Sequence, residues 1–253
     1  MSRIGLGAMR LALGRAVPPP ADAIALLRRA VELGVDHIDT AGNYGFGESQ
    51  AHELIRKALH PYAESLVIAT KVTGGDLRAQ VESDLRRLGV ERLDLVYLRT
   101  TGLAAPGGEP IGERFAALAE MRREGLIRDL GVSHVDAAQL AEAQAVEPVA
   151  AVQNQFHVHH RANADVLARC EKAGIAFLPY FPLGGGGAKI DHSRLEAVAA
   201  RHNATTSQVA LAWLLAVSPA ARPIPGTTSI AHLTENLAAA GLHLADDDMA
   251  ELL

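Results

Sequence analysis

The sequence predicts an α/β chain folded as a single eight-stranded (β/α)8 TIM barrel. Three observations carry this. Short Val-, Ile- and Leu-rich runs alternate with helical segments from end to end, no composition break divides the chain, and polar residues recur where the apolar runs stop. A length of 253 residues suits one barrel domain over 1–253, and a 49% hydrophobic content is enough for its core.

Strands are expected at 4–9 (IGLGAM), 35–40 (VDHIDT), 66–71 (LVIATK), 93–99 (LDLVYLR), 127–133 (IRDLGVS), 149–156 (VAAVQNQF), 175–181 (IAFLPYF) and 222–226 (RPIPG). Helical patterns fill the gaps, as in ADAIALLRRAVELG, where Ile24, Leu27 and Val31 share one face. Gly34, Gly89, Gly125 and Gly174 each follow such a pattern, where a left-handed cap favours glycine. Asp136 and Ser193 are N-cap candidates, the latter with Glu196 three residues on. SRLEAVAARH and TTSQVALAWLLAVS place one extra helix between the seventh and eighth strands. The competing architecture is a doubly wound open sheet. Against it, Arg10 stands where a dinucleotide fingerprint beginning at Gly5 and Gly7 needs its third glycine, and the run at 184–187 lacks the spacing.

A formal net charge of −5 with no basic tract argues against a nucleic-acid partner. Arg10 and three prolines break the apolar N-terminal stretch, so no signal peptide is expected, and no run of 18 apolar residues suggests a membrane span. The single cysteine, Cys170, permits no internal disulfide and is read as a buried, inert thiol in a reducing, cytoplasmic setting. His157, His159 and His160 are read as solvated loop histidines and not a metal site, since no carboxylate or cysteine stands at ligand spacing. Trp213, in a nearly continuous apolar helix, is read as core. A small-molecule substrate and a monomer or weak oligomer complete the expectation.

In such barrels chemistry sits at the C-terminal ends of the strands. Those ends carry Asp39, Lys71, Arg99, Ser133, Gln153, Tyr180 and Gly226, a sequence of polar or small residues that packing alone does not require. Asp39, Tyr44 and Lys71 form an interpretable set. A phenol with a pKa near ~10 is a poor acid at neutral pH. A neighbouring ammonium stabilises its phenolate, and a carboxylate holds the ammonium in place. Spacing alone equally allows a rim salt bridge between Asp39 and Lys71 with Tyr44 packed in a loop.

These segments together resemble the aldo-keto reductase superfamily along nearly the whole chain. DHIDTAGNYG resembles the motif around the catalytic Asp and Tyr, here Asp39 and Tyr44, and LVIATK supplies the lysine, Lys71. The resemblance implies that Ser133 and Gln153 hold a nicotinamide carboxamide, with His134 where the family has asparagine. It places Tyr180 as the ring stacked on the nicotinamide, with Leu183 and Gly184 near the pyrophosphate. IPGTTSIAHLTENL resembles the adenosine-phosphate segment, which implies roles for Gly226, Thr227, Thr228, Ser229 and His232 at a phosphate and for Glu235 and Asn236 at the adenine. Three departures stand out. Arg99 replaces the histidine that ordinarily completes the catalytic tetrad. Gly226 and His232 stand where some members use lysine and arginine. The N-terminal hairpin and the C-terminal loop that shapes substrate choice look short, so no substrate is named.

The implied activity is NAD(P)H-dependent reduction of aldehyde or ketone carbonyls to alcohols, an enzyme acting on the CH–OH group of donors. Tyr44 is expected as proton donor, with Asp39, Lys71 and Arg99 as its catalytic partners. NADP (NADPH) is the expected cofactor, NAD is also accommodated, and no metal is implied. The alternative is a nicotinamide-binding sensor or regulatory protein with weak turnover, motivated by Arg99. A phosphate-handling barrel lyase or isomerase is a further rival, which would leave Gln153 and Tyr180 without roles.

Overall fold

The structure is a computed structural model that describes residues 3–14, 16–45, 49–100, 106–184 and 193–252. Seven parallel strands pair in simple chain order: β1 (Leu6–Gly7), β2 (His37–Asp39), β3 (Val67–Val72), β4 (Leu93–Arg99), β5 (Ile127–Ser133), β6 (Ala151–Gln153) and β7 (Ala176–Phe177). A doubly wound sheet would reverse direction within the order; this one does not. Residues 221–225 supply the eighth position without forming a regular strand. Arg222 and Ile224 donate to Phe177 O (2.8 Å) and Pro179 O (3.4 Å), while Gly5 and Gly7 donate to Pro223 O (3.0 Å) and Pro225 O (3.2 Å). The segment therefore bonds to both β7 and β1 and closes the barrel. Its two prolines lack the N–H groups that would complete the ladder, and Pro179 shortens β7 in the same way.

Helices α1 (Met9–Ala12) and α2 (Pro20–Glu32) follow β1, and α3 (Ala51–Leu59), α4 (Leu77–Leu88), α5 (Gly112–Arg123), α6 (Ala137–Val146) and α7 (Ala164–Ala173) follow β2 to β6 in turn. α8 (Ser193–His202) and α9 (Thr206–Val217) precede the closing segment, and α10 (Ile230–Ala238) and α11 (Asp246–Glu251) follow it. Gly34, Gly89, Gly125 and Gly174 all adopt positive φ, and Asp136 caps α6 in a reciprocal capping box with Gln139. Ser193 is instead the first helical residue of α8; the position before it lies outside the described residues. The buried face of α2 is Ala23, Leu26, Leu27 and Ala30, with Ile24 and Val31 at its margins. Ala23 and Ala30 are as fully buried as the leucines, which a count of large apolar residues misses.

Strand alternation explains the core and the site together. Successive side chains point to opposite faces. One face packs under the helices in the main apolar cluster. The other points inward, where Ala69, Leu95, Tyr97, Ala151, Leu178 and Ile224 form a small inner cluster. Two residues further along each strand, the same inward face carries Lys71 after Ala69, Arg99 after Tyr97, Gln153 after Ala151 and Tyr180 after Leu178. The barrel is apolar inside and polar at its C-terminal mouth. Trp213 of α9 is buried and stacks on Phe156 with centroids 5.9 Å apart, and Cys170 is buried, its thiol pushed up to about 12 by burial.

Tyr97 dictates a neighbour. Its ring fills the space beside Gly131, its register partner on β5, where a Cβ would lie 2.6 Å from Tyr97 Cδ1 and 2.7 Å from Ala151 O. Because one of those contacts is backbone, Gly131→Ala is expected to destabilise the protein by about 1–3 kcal/mol. Urea unfolding measures this, and an unchanged midpoint would contradict the packing described.

Candidate active site

Asp39 ends β2 and Lys71 lies near the end of β3, both buried. Lys71 Nζ donates to Asp39 Oδ2 at 2.6 Å and to Thr40 O at 2.9 Å. The other Asp39 oxygen, Oδ1, accepts from Gln153 Nε2 at 2.6 Å, from across the barrel. Lys71 Nζ also stands 5.1 Å from the centre of the Tyr44 ring. Burial alone would pull the lysine pKa down; Asp39 and the Tyr44 oxygen outweigh it, and the net shift is upward. The lysine is thus a fixed cation at neutral pH, and the carboxylate beside it is fully engaged.

The turn carrying Tyr44 is pinned from several sides. Tyr44 N donates to Ala41 O at 3.0 Å and its carbonyl accepts from Ala51 N at 2.9 Å. Gly42 O accepts from Gln50 Nε2 at 3.1 Å and from Arg87 Nη1 at 2.9 Å. Gln50 also caps α3 through Glu53 N. Behind this turn lies a buried polar cluster in which Thr70 Oγ1 donates to Asp84 Oδ2 at 2.7 Å and stands 3.2 Å from His52 Nε2. None of these supports is visible in the spacing of the sequence.

Arg99 ends β4, the strand paired with the one that carries Lys71. Its Nη1 donates to Ser133 Oγ at 3.1 Å, and its guanidinium carbon lies 5.4 Å from the centre of the Tyr180 ring. It does not pair with Asp39, whose oxygens are taken by Lys71 and Gln153. His134 has φ 61°, in the left-handed region that few non-glycine residues adopt, and its Nδ1 is 2.9 Å from Tyr180 Oη. Asn154 holds that segment in place, accepting from Val135 N at 3.0 Å and donating to Val135 O at 2.7 Å. Burial raises the Tyr180 pKa, with Arg99 opposing. Tyr97, which the sequence reading passed over, lies buried below this ring of residues; burial first and then the Asp39 charge push its pKa well up.

The remaining expected positions lie in the loop after β7 and between the closing segment and α10. Leu183 packs on the main core and Gly184 has φ 73°, while the glycines at 185–187 lie outside the described residues. Thr227 Oγ1 accepts from Ser229 N at 3.1 Å, and Ser229 caps α10 by accepting from His232 N at 3.4 Å. Thr228 and His232 are exposed and Asn236 is buried. Glu235 accepts from Thr205 Oγ1 at 2.7 Å, tying α10 to the cap of α9. Arg10, in the sequence a break in a glycine pattern and in the apolar N-terminal stretch, has its side chain beside Gly226, 3.6 Å from where a Cβ there would stand. Contact across the β1 and closing-segment ends could be found only once the barrel was closed.

The histidine reading needs correction. His157 is buried rather than solvated, because the turn at 157–160 folds its ring against the core, 5.7 Å from His160. Among the described residues no group of three or more His, Cys, Asp or Glu side chains is placed to hold a metal ion, and no helix is long and apolar enough to cross a membrane. A cavity of about 520 Å³ elsewhere is lined by Glu53, Arg56, Lys57, His60, Arg86 and Arg87. Most of its lining is last-turn cations of α3 and α4, which offset the helix dipoles, and of these Arg87 also reaches Gly42 O in the Tyr44 turn.

The pattern of the Aldo/keto reductase family matches residues 3–253, and the chain belongs to that family of oxidoreductases. It is 40% identical over 273 aligned positions to pyridoxine 4-dehydrogenase of Escherichia coli strain K12, covering all of this chain and 94% of that protein. Among solved structures it is similar to a thermostable aldo-keto reductase in complex with the inhibitor epalrestat, at 32% identity and a TM-score of 0.88 over 100% of this chain and 94% of that one. It is also similar to an aldo/keto reductase from Klebsiella pneumoniae in complex with NADP and acetate, at 28% identity and a TM-score of 0.85 over 99% and 89%.

His157 gives a pH prediction. Burial, followed by the neighbouring His160 and His159, lowers its pKa to about 4. Between that value and its unfolded value near ~6.5, the unfolded chain binds more protons than the native one. Its contribution to stability is therefore complete above the unfolded value and is lost as pH falls toward the native one. The thermal midpoint should fall from pH 7 to pH 5, and His157→Gln should reduce that fall. An equal fall in both proteins would contradict it.

Proposed function

We propose that this protein reduces aldehyde or ketone carbonyls to alcohols with NADPH and runs the reverse oxidation of the CH–OH group, as one barrel domain over 1–253. The observation that carries the reading is the Lys71 ammonium, held at 2.6 Å by Asp39 and standing 5.1 Å from the Tyr44 ring at the mouth of the barrel. Tyr44 donates the proton to the carbonyl oxygen as negative charge builds there. Lys71 stabilises the phenolate left behind, and Asp39 keeps Lys71 in place. Arg99 adds a second fixed cation facing the same space. A purely sensing role would leave this buried pair, aimed at a phenol, without work to do.

The donor set suits a nicotinamide dinucleotide. Ser133, Gln153 and Tyr180 offer hydroxyl, amide and ring at one end, with His134 beside them; the capped start of α10 and Arg10 offer an anion-binding end beside Gly226. When bound, the reduced nicotinamide supplies the hydride. NADP in the Klebsiella relative supports the choice of cofactor. The name of the Escherichia coli relative makes pyridoxal and pyridoxine the first aldehyde–alcohol pair to assay.

Tyr44→Phe is expected to lower turnover roughly 10²–10⁴-fold, the usual worth of a positioned acid, while NADPH affinity stays within a few-fold. Wild-type turnover by this variant on every active substrate would remove Tyr44 as proton donor.

Fluorescence titration should show NADPH binding more tightly than NADH. Arg10→Ala should weaken NADPH about tenfold, the loss of one charge-assisted contact, with little change for NADH. Equal losses for both cofactors would take Arg10 away from the 2′-phosphate.

A further inference from the structure

Among the described residues Lys71 and Arg99 border the Tyr44–Tyr180 side of the mouth, and they differ in how their charges are met. Lys71 has the Asp39 carboxylate at 2.6 Å. Among the described residues Arg99 makes no ion pair; its partners are the neutral Ser133 hydroxyl at 3.1 Å and the face of the Tyr180 ring. The adjoining α5 residue Arg114, whose Nη2 is 3.5 Å from Arg99 O, has the same sign. A half-buried guanidinium bordered by a neutral hydroxyl and an aromatic ring is incompletely solvated and has donors to spare. Lys71 and Arg99 stand on paired strands, Arg99 two residues beyond Tyr97, the register partner of Lys71, so the guanidinium over Tyr180 and the ammonium beside Tyr44 border the same stretch of the mouth.

Building on the reductase reading above, we propose that Arg99 selects carbonyl substrates bearing an ionised oxygen adjacent to the aldehyde, as in an ortho-hydroxy aromatic aldehyde. The guanidinium pairs with that oxygen while Tyr44 faces the carbonyl. Pyridoxal, with its ring hydroxyl next to the aldehyde, has this arrangement. The pairing supplies the negative charge that the Arg99 side of the mouth lacks, and it fixes which face of a small planar substrate meets the cofactor. A histidine at this position would carry no permanent charge and impose no such demand.

The test uses full-length protein with NADPH and two aldehydes at pH 7.5. The first is 2-hydroxy-5-nitrobenzaldehyde, which is ionised there because the nitro group is para to the hydroxyl; the second is its 2-methoxy counterpart. The ratio of their kcat/KM values is compared among wild type, Arg99→Gln and Arg99→Lys, which cancels the intrinsic reactivity of each aldehyde. Arg99→Gln should lower the ratio at least about tenfold, mainly through KM for the phenolate, and Arg99→Lys should keep most of it. A ratio unchanged in Arg99→Gln would overturn the proposal. Binding of 4-nitrophenolate to the NADP-loaded protein, followed by visible absorbance, is the second readout. If wild type reduces neither these aldehydes nor pyridoxal, the reductase reading falls. The second readout then decides separately: weaker binding in Arg99→Gln supports an anion site at Arg99, and equal binding overturns it.

Discussion

A buried ion pair at the mouth of a barrel constrains everything around it. Asp39 and Lys71 are withdrawn from water, so each must be satisfied by protein groups or the charges would not be held there. The pair meets that demand with little left over: Lys71 also donates to Thr40 O, and Gln153 closes the second carboxylate oxygen. Buried pairs of this kind add little net stability compared with apolar replacements. Their worth here is directional, because an ammonium that cannot move away stands beside a phenol.

The barrel makes that placement nearly automatic. Inward-facing positions along each strand are apolar below and polar at the mouth, so the register that buries Ala69, Leu95 and Tyr97 also delivers Lys71 and Arg99 to the same rim. Slipping one strand by a residue would turn both its core and its site residues outward. Around this frame, Gln50 and Arg87 clamp the Tyr44 turn from the helix side, and Asn154 holds the His134 segment in its unusual backbone conformation. Polar supports of this kind make a site rigid without touching substrate.

Strand positions and the residues at their ends were legible in the sequence because alternation and local composition encode them. β4 and β5 appear at the expected boundaries, 93–99 and 127–133, and the residues expected at the mouth gather there. What depends on contacts between distant segments was not legible. The partnership of Tyr97 with Gly131, the approach of Arg10 to Gly226 and the burial of His157 each arise from pairing or turning that no spacing rule reports. The eighth strand was legible in position but not in form, since Pro223 and Pro225 leave it able to accept from β1 and unable to return the bonds. Arg99 was legible as a departure, but its direction was not. The choice between Asp39 and the Ser133–Tyr180 corner depends on Gln153 having already taken the free carboxylate oxygen.

The central claim is that Asp39 and Lys71 act as one unit on Tyr44. It is tested most directly by kcat/KM for carbonyl reduction in Asp39→Asn, Lys71→Met and the double variant, each confirmed folded by circular dichroism. If Asp39 works only through Lys71, the double variant falls within about tenfold of Lys71→Met alone, as for residues that form a single device. If the two losses multiply, Asp39 and Lys71 serve separate steps, and the mouth of this barrel works in another way.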